Sequence, residues 1–241
     1  MHGAIASGIV PRSPQLDVRR SQVVEVGRIQ PGWAHLPGDE WAWLEAHWKL
    51  EVLTANRILC DTDAPSEALW LLDEAVTARV VRDSRDHMVE IAVDGPGSIA
   101  CAWLLSGDQL SPWRVIVRRG GTARALSQRD LEVLPKAAPV FLARCHAVIH
   151  AEVLDLAAQF ALARHRTARS LLADRLDGYF TAFGETAISI THNALAQRLN
   201  LRRATVTLAL QELEGARAIR SHRARIELKD RDQLIAIASE Y

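Results

Sequence analysis

This sequence has no surplus of either charge: 29 Lys and Arg stand against 29 Asp and Glu. Without a net positive field it is not a uniformly basic, histone-like coat for nucleic acid, so any grip on phosphate has to come from a local patch. Cysteine is scarce as well. The three thiols, Cys60, Cys101 and Cys145, are far apart, odd in number and in no CxxC pair. That excludes a disulfide framework and a metal-binding spacing, and leaves reduced cytosolic thiols as the expectation. No apolar run reaches the length of a membrane span, and the N-terminus lacks a basic-then-apolar leader. The expected setting is the cytoplasm, with no membrane partner. Catalytic signatures are also missing: no P-loop, no HExxH, no GxSxG and no paired carboxylates in a supporting context, so an enzyme is not expected.

What is present is enough apolar residue for real cores. With 241 residues, 49% of them hydrophobic, the chain has room for two compact domains. Its most informative stretch is 190–214. Thr191 stands where an N-cap belongs, and Ile190 and Leu195 have the spacing of a hydrophobic staple. Leu195 and Leu199 share a face one turn apart, and Ala196 is small enough for a second helix to cross closely. Asn200 tolerates the left-handed backbone of a tight interhelical turn. Beyond it, Val206, Leu210 and Leu213 repeat as the apolar stripe of an amphipathic helix over about 202–214. Arg202, Arg203 and Thr205 fall in its first turn, where a recognition helix meets bases and phosphates. The pattern is a helix-turn-helix; the plainer alternative is a helical hairpin in a core with solvated arginines.

The next segment, Ala218 to Leu228, reads as two short strands around a basic tip at Arg223 and Arg225, a wing. From Arg198 to Arg231, nine Lys/Arg face four acids, a local positive excess on a neutral chain.

The first half differs in character. Residues 1–30 show no sustained period and read as a loose, flexible extension with a short strand at Val23–Val26. Asp39 is a candidate cap for a helix carrying Trp41, Leu44 and Trp48. Between about 50 and 126, short β-rich runs alternate with turn material: Leu50–Leu53, Ile58–Cys60, Leu69–Leu72, Ala75–Val81, Met88–Val93, Arg114–Val117 and Thr122–Leu126. That spacing predicts an antiparallel barrel or sandwich. Ser127, with Asp130 three residues on, opens a short helix expected to end before Pro135. Pro139 begins a longer one. Along it Leu142, Ile149, Leu156 and Ala163 recur every seven residues, with His146, Val153 and Phe160 interleaved, a coiled-coil seam of about three heptads. Such a seam serves a dimer; the alternative is a long helix packed on its own barrel. Another helix carries Leu171, Leu172, Leu176 and Phe180 and closes at Gly184, and a short strand at Ala187–Ile190 leads back to the helix-turn-helix.

This order of parts resembles the Crp–Fnr superfamily of bacterial transcription regulators. The resemblance covers about 33–241 and is most specific over 188–228. It implies an α+β protein: an N-terminal antiparallel, jelly-roll-like β-roll of the cyclic-nucleotide-binding type, a long dimerisation helix and a C-terminal winged helix-turn-helix. The corresponding divisions are 1–30, 31–137 (effector or sensor), 138–164 (dimerisation) and 165–241 (DNA binding). It further implies a homodimer on a two-fold operator, with RNA polymerase as a further partner. Arg203 matches the position whose arginine contacts guanine, and Thr205 one that binds phosphate; Thr191, Arg202, Ala204, Thr207, Arg223 and Arg225 complete the expected DNA contacts. Ala204 and Leu208 replace a glutamate and a second arginine found in some members, so the operator is expected to differ from that of the cyclic-AMP receptor branch.

The β-roll departs further. Gly97-Ser98-Ile99-Ala100 stands where a cyclic-nucleotide binder has Gly-Glu-x-Gly, and Ser111-Pro112 where it has Arg-Ser. A buried phosphate without a cation is very costly, so cyclic-nucleotide control is not expected; Arg114 is the nearest candidate replacement. Three cysteines cannot supply the four thiolates of an Fnr-type cluster. No cofactor is expected, with haem on His87, His146 or His150 as the minor alternative, and Cys101 or Cys145 as a redox sensor would require exposure and a depressed pKa. All seven tryptophans precede residue 114, as packing or as an aromatic effector pocket. The competing function is a ligand-binding sensor whose helix-turn-helix serves protein interaction.

Overall fold

The computed structural model describes residues 35–107, 110–163 and 165–240. The expected extension over 1–30 and its strand at Val23–Val26 lie outside the described residues.

Helix α1 (Gly38–His47) is not capped by Asp39. Pro37 is the N-cap, its carbonyl accepting from the Trp41 amide at 2.9 Å, while Asp39 lies in the first turn, where a negative charge suits the helix N-terminus. Eight strands follow: β1 (Lys49–Leu53), β2 (Ile58–Cys60), β3 (Ala68–Leu72), β4 (Val76–Arg82), β5 (Met88–Asp94), β6 (Ile99–Ala100), β7 (Arg114–Arg119) and β8 (Gly121–Ser127). They make two antiparallel sheets ordered β1-β8-β3-β6 and β2-β7-β4-β5. Strand β3 is buried on both faces. Trp70 and Leu72 face the interior of the roll with Trp113, Val115 and Val117, while Leu69 and Leu71 pack outward on Leu44 and Phe141. A strand covered on both sides reads as a continuous apolar run, as Leu69–Leu72 does. The short β6 and the 3₁₀ turn Ala102–Ser106 that follows it have too few residues to show a period; they are framed by left-handed backbone at Cys101 and Gly107.

Helix α2 (Gln128–Ala137) opens with a capping box. The Asp130 amide donates to Ser127 Oγ at 3.3 Å, and the Ser127 amide donates back to Asp130 Oδ2 at 3.1 Å. Contrary to expectation, the helix runs through Pro135 to Ala137. A proline late in a short helix forfeits only one backbone bond, and the Ala138 amide still donates to the Leu134 carbonyl at 2.9 Å. Helix α3 (Pro139–Leu162) starts on that proline. Its first free amides are satisfied from afar: Val140 and Phe141 donate to the buried Glu40 carboxylate at 3.0 and 2.9 Å. That tie between α1 and α3 leaves no local sequence signal.

The heptad reading of α3 is corrected in one respect. Ile149 is buried in the core formed with Leu44, Leu69 and Phe141, Leu142 packs on the same core, and Leu156 packs on the roll. These three positions belong to the chain's own β domain. His146, Val153 and Phe160 are exposed, and they alternate with exposed Ala143, His150 and Ala157. The free seam is therefore 143, 146, 150, 153, 157, 160, keeping the three-and-four stepping one residue over from the expected partners.

The C-terminal part comprises α4 (Ala168–Phe183), β9 (Ala187–Ile188), α5 (His192–Leu199), α6 (Arg203–Gly215), β10 (Ile219–His222), β11 (Arg225–Leu228) and α7 (Arg231–Ala238). Thr167 caps α4, and Gly184 closes it with a left-handed backbone. Leu172, Leu176, Phe180, Leu195, Val206, Leu210, Leu213, Ile219 and Ile226 share one core. Helix α7 was not anticipated, although Asp230 caps it and Leu234, Ile237 and Ala238 bury its inner face. Among the described residues, no helix is long and apolar enough to cross a membrane.

Candidate nucleic-acid interface

The two crossing helices arise as their sequence dictates. Thr191 Oγ accepts from the Ala194 amide at 3.0 Å, opening α5, and Ile190 and Leu195 are both buried beneath it. Asn200 adopts φ 51° and ψ 42°, the left-handed turn that redirects the chain into α6. Val206, Leu210 and Leu213 fix α6 to the core, which leaves Arg203, Ala204, Leu208 and Gln211 on its outer face. Arg202 stands at the N-cap without a side-chain bond to the first turn. Unlike α5, α6 thus begins with backbone N–H groups that no side chain satisfies, the arrangement that accepts a phosphate oxygen.

Thr205 and Thr207 are half-buried. Thr207 has an internal partner: the His192 ring lies between Thr207 Oγ1 (3.2 Å) and Ser221 Oγ (3.3 Å), joining α5, α6 and the wing. Sequence reasoning missed His192, because its role depends on three elements meeting.

The wing is a hairpin with Arg223 and Ala224 at its tip, His222 pairing with Arg225, and β9 as a third strand beside β11. The positive excess read from the sequence is larger than the free patch. Arg198 turns inward to the Tyr179 hydroxyl (3.4 Å) and ring, and Arg231 pairs with Asp177 at 2.8 Å. Arg225 and Lys229 share Glu227 at 3.2 and 2.9 Å, holding that carboxyl below its ordinary range. Among the described residues, Arg202, Arg203, Arg217, Arg220 and Arg223 are exposed and carry no ion pair. Of the expected contacts, Arg202, Arg203, Ala204 and Thr191 are exposed near the start of α5 or α6 and Arg223 and Arg225 on the wing, while Thr205 and Thr207 are half-buried on α6.

In the β domain, Arg114 is committed to Asp61 at 2.6 Å. The cation that the sequence did not single out is Arg79. It grips Asp94 with two nitrogens (3.1 and 3.2 Å), reaches Glu152 of α3 at 3.2 Å, and lies 5.5 Å from the Trp113 ring centroid. Burial, then the neighbouring Asp94 and Asp155 carboxylates, outweigh Arg79 and push Glu152 up to about 7. Cys101 and Cys145 are buried, and burial pushes both thiols up, away from reactivity. The Cys60 thiol is pulled down, chiefly by a hydrogen bond with Cys101, yet is itself buried. His87 lies on the surface beside Asp83 (3.2 Å), and His146 and His150 are exposed on α3.

Residues 165–237 match the family model of the Crp-like helix-turn-helix domain. No curated protein matches the chain. Among solved structures, the fold is similar to that of FixK2 from Bradyrhizobium japonicum (16% identity, TM-score 0.66, 80% of this chain and 98% of that one). It is also similar to the c-di-GMP-responsive global regulator CLP of Xanthomonas campestris (13%, 0.65, 79% and 98%) and a CRP/FNR-family transcriptional regulator from Thermus thermophilus (15%, 0.64, 80% and 99%). Residues 165–237 thus resemble the Crp-like helix-turn-helix domain, and the chain shares the fold of these solved structures.

Proposed function

We propose that this chain, a Crp-like helix-turn-helix domain on a Crp–Fnr fold, is a homodimeric, sequence-specific DNA-binding transcription regulator. The observation that carries the reading is the set of unpaired arginines on one domain: Arg202 and Arg203 at an uncapped helix start, with Arg223 on the wing. Helix α6 enters the major groove, Arg203 addresses a guanine through O6 and N7, and Arg223 lies along the phosphates. The second copy is supported by the free seam of α3. It is uncharged, follows a coiled-coil stepping, and leaves Phe160 83% exposed. Two such heads related by a two-fold axis read a palindromic operator.

The β domain works without a cyclic nucleotide. Ser111-Pro112 offers no cation, and both nearby arginines, Arg79 and Arg114, are already balanced by carboxylates. The test of the main reading is selection of bound genomic fragments followed by footprinting at moderate salt. A two-fold site whose affinity falls with salt is the expected result; no preferred site and no salt dependence overturns it.

One observation favours the alternative reading, a protein-interaction module: Leu208 is 58% exposed in the middle of the outer face of α6. On DNA, that side chain meets a thymine methyl. Leu208→Ala therefore weakens binding at one A·T pair under the first reading and leaves DNA binding unchanged under the second.

A further inference from the structure

We propose that His146 and His150, with the same pair from a second copy, form a divalent-metal site of the zinc class inside the α3 seam. The proposal rests on the homodimer described above and adds to it a ligand that locks the seam. His146 and His150 are one helical turn apart, the spacing at which two imidazoles on one helix face converge on a single cation. Both are exposed, and neither has a hydrogen bond or ion pair among the described residues. Their surroundings on the helix are small and uncharged. Ala143 and Ala147 flank them on the exposed side, and Val153 and Leu154 follow. The nearest charges on α3 turn elsewhere: Arg144 donates to the His35 carbonyl at 2.9 Å, and Glu152 faces Arg79. Two histidines on an otherwise apolar stripe are a poor choice for packing alone, since a polar residue in a coiled-coil seam costs stability.

Within one chain the pair is incomplete. Among the described residues, no group of three or more His, Cys, Asp or Glu is placed to hold a metal ion. Parallel two-fold pairing completes it. Residues 146 and 150 occupy successive layers of the free seam, so each layer contributes two imidazoles and the two layers contribute four. Four neutral nitrogens suit a tetrahedral, borderline-soft ion such as Zn²⁺ or Co²⁺, whereas Ca²⁺ and Mg²⁺ require oxygen ligands that this face lacks. A cation bound only when two chains meet strengthens the dimer by mass action, and with it two-headed binding to an operator.

The test uses the untagged full chain and Co²⁺ as the probe. Expected are the visible bands of tetrahedral Co²⁺ at one ion per two chains. Sedimentation should show the dimer dissociation constant at least tenfold tighter with Zn²⁺ than with a chelator. The double variant His146→Asn, His150→Asn should lose the bands and the zinc effect while still dimerising. A dimer with no bands and no zinc effect overturns the site and leaves the homodimer standing. A chain that stays monomeric with and without metal overturns both. One ion per monomer, or bands that persist in the double variant, overturns the shared site.

Discussion

Arg223 and Arg225 are two residues apart on the wing, but only Arg223 is without an internal carboxylate partner. Arg223→Ala should weaken binding to every sequence and lower the salt slope by about 0.9, the loss of one phosphate contact. Arg225→Ala should change the slope less, because Glu227 already balances that charge. Arg203→Ala should instead cost roughly 1–3 kcal/mol at the preferred operator and relax choice at one base pair; titration against single-base variants reads the difference. Another titration belongs to Glu152. Its carboxyl holds its proton up to about 7 when folded, against an ordinary 4.5. The folded state therefore keeps a proton that the unfolded chain releases, and the stabilisation is present below about 4.5 and lost as pH rises through 7. Denaturant unfolding at pH 5 and 8 should show this loss, at most about 3 kcal/mol, and Glu152→Gln should flatten it. That Arg203 stands at a helix start and Arg223 at a hairpin tip was legible in the sequence, because both are local features. Which cations are spent internally was not: Asp177 lies 54 residues from Arg231, and Tyr179 lies 19 from Arg198.

Helix α3 shows why an element can be recognised while its faces are confused. Its sequence offers apolar residues at 141, 142, 149, 153, 154, 156 and 160. With so much of the circumference apolar, a seven-residue repeat can be drawn through more than one stripe. Only contact with the β domain separates them, taking Phe141, Cys145 and Ile149 inward and leaving 143, 146, 150, 153, 157 and 160 free. The two faces should respond differently to substitution. Val153→Glu with Phe160→Glu should give a folded monomer by sedimentation, with thermal unfolding of the β domain little changed. Ile149→Ala should leave association intact in form but cost about 2–5 kcal/mol of stability through the cavity it opens. Strand boundaries in the roll were readable because alternation and turn residues are short-range signals. The capping of α3 by Glu40, a hundred residues away, was not.

On the scale of the whole chain, the helix-turn-helix head is docked on the roll through strand β5. Glu90 accepts from Arg118 of β7 at 2.8 Å and from the Tyr179 hydroxyl of α4, and Arg198 of α5 covers that tyrosine ring. Arg175 donates to the Ile91 carbonyl, and Asn200, at the turn of the helix-turn-helix, donates to Asp83 at 2.8 Å. Burial and the adjacent Glu90 charge push the Tyr179 hydroxyl up, so it stays a proton donor across the physiological range. Backbone meets backbone at Gly95, where a Cβ would stand 2.1 Å from the Ala182 carbonyl oxygen near the end of α4. That oxygen belongs to backbone and cannot rotate away, so even one methyl must separate the two parts. Gly95→Ala should leave each core folded, because neither the core of Leu172, Leu210 and Ile226 nor that of Trp70 and Val117 includes residue 95. Hydrogen exchange should accelerate over residues 88–94 and the C-terminal turn of α4, with the amides of α6 unaffected. Operator affinity then reports what the docking does. If the docked pose is the one that reads DNA, Gly95→Ala weakens binding as Tyr179→Phe does; if docking holds the head back, both variants bind more tightly. Faster exchange confined to α6, with 88–94 still protected, would show that Gly95 has no part in the contact.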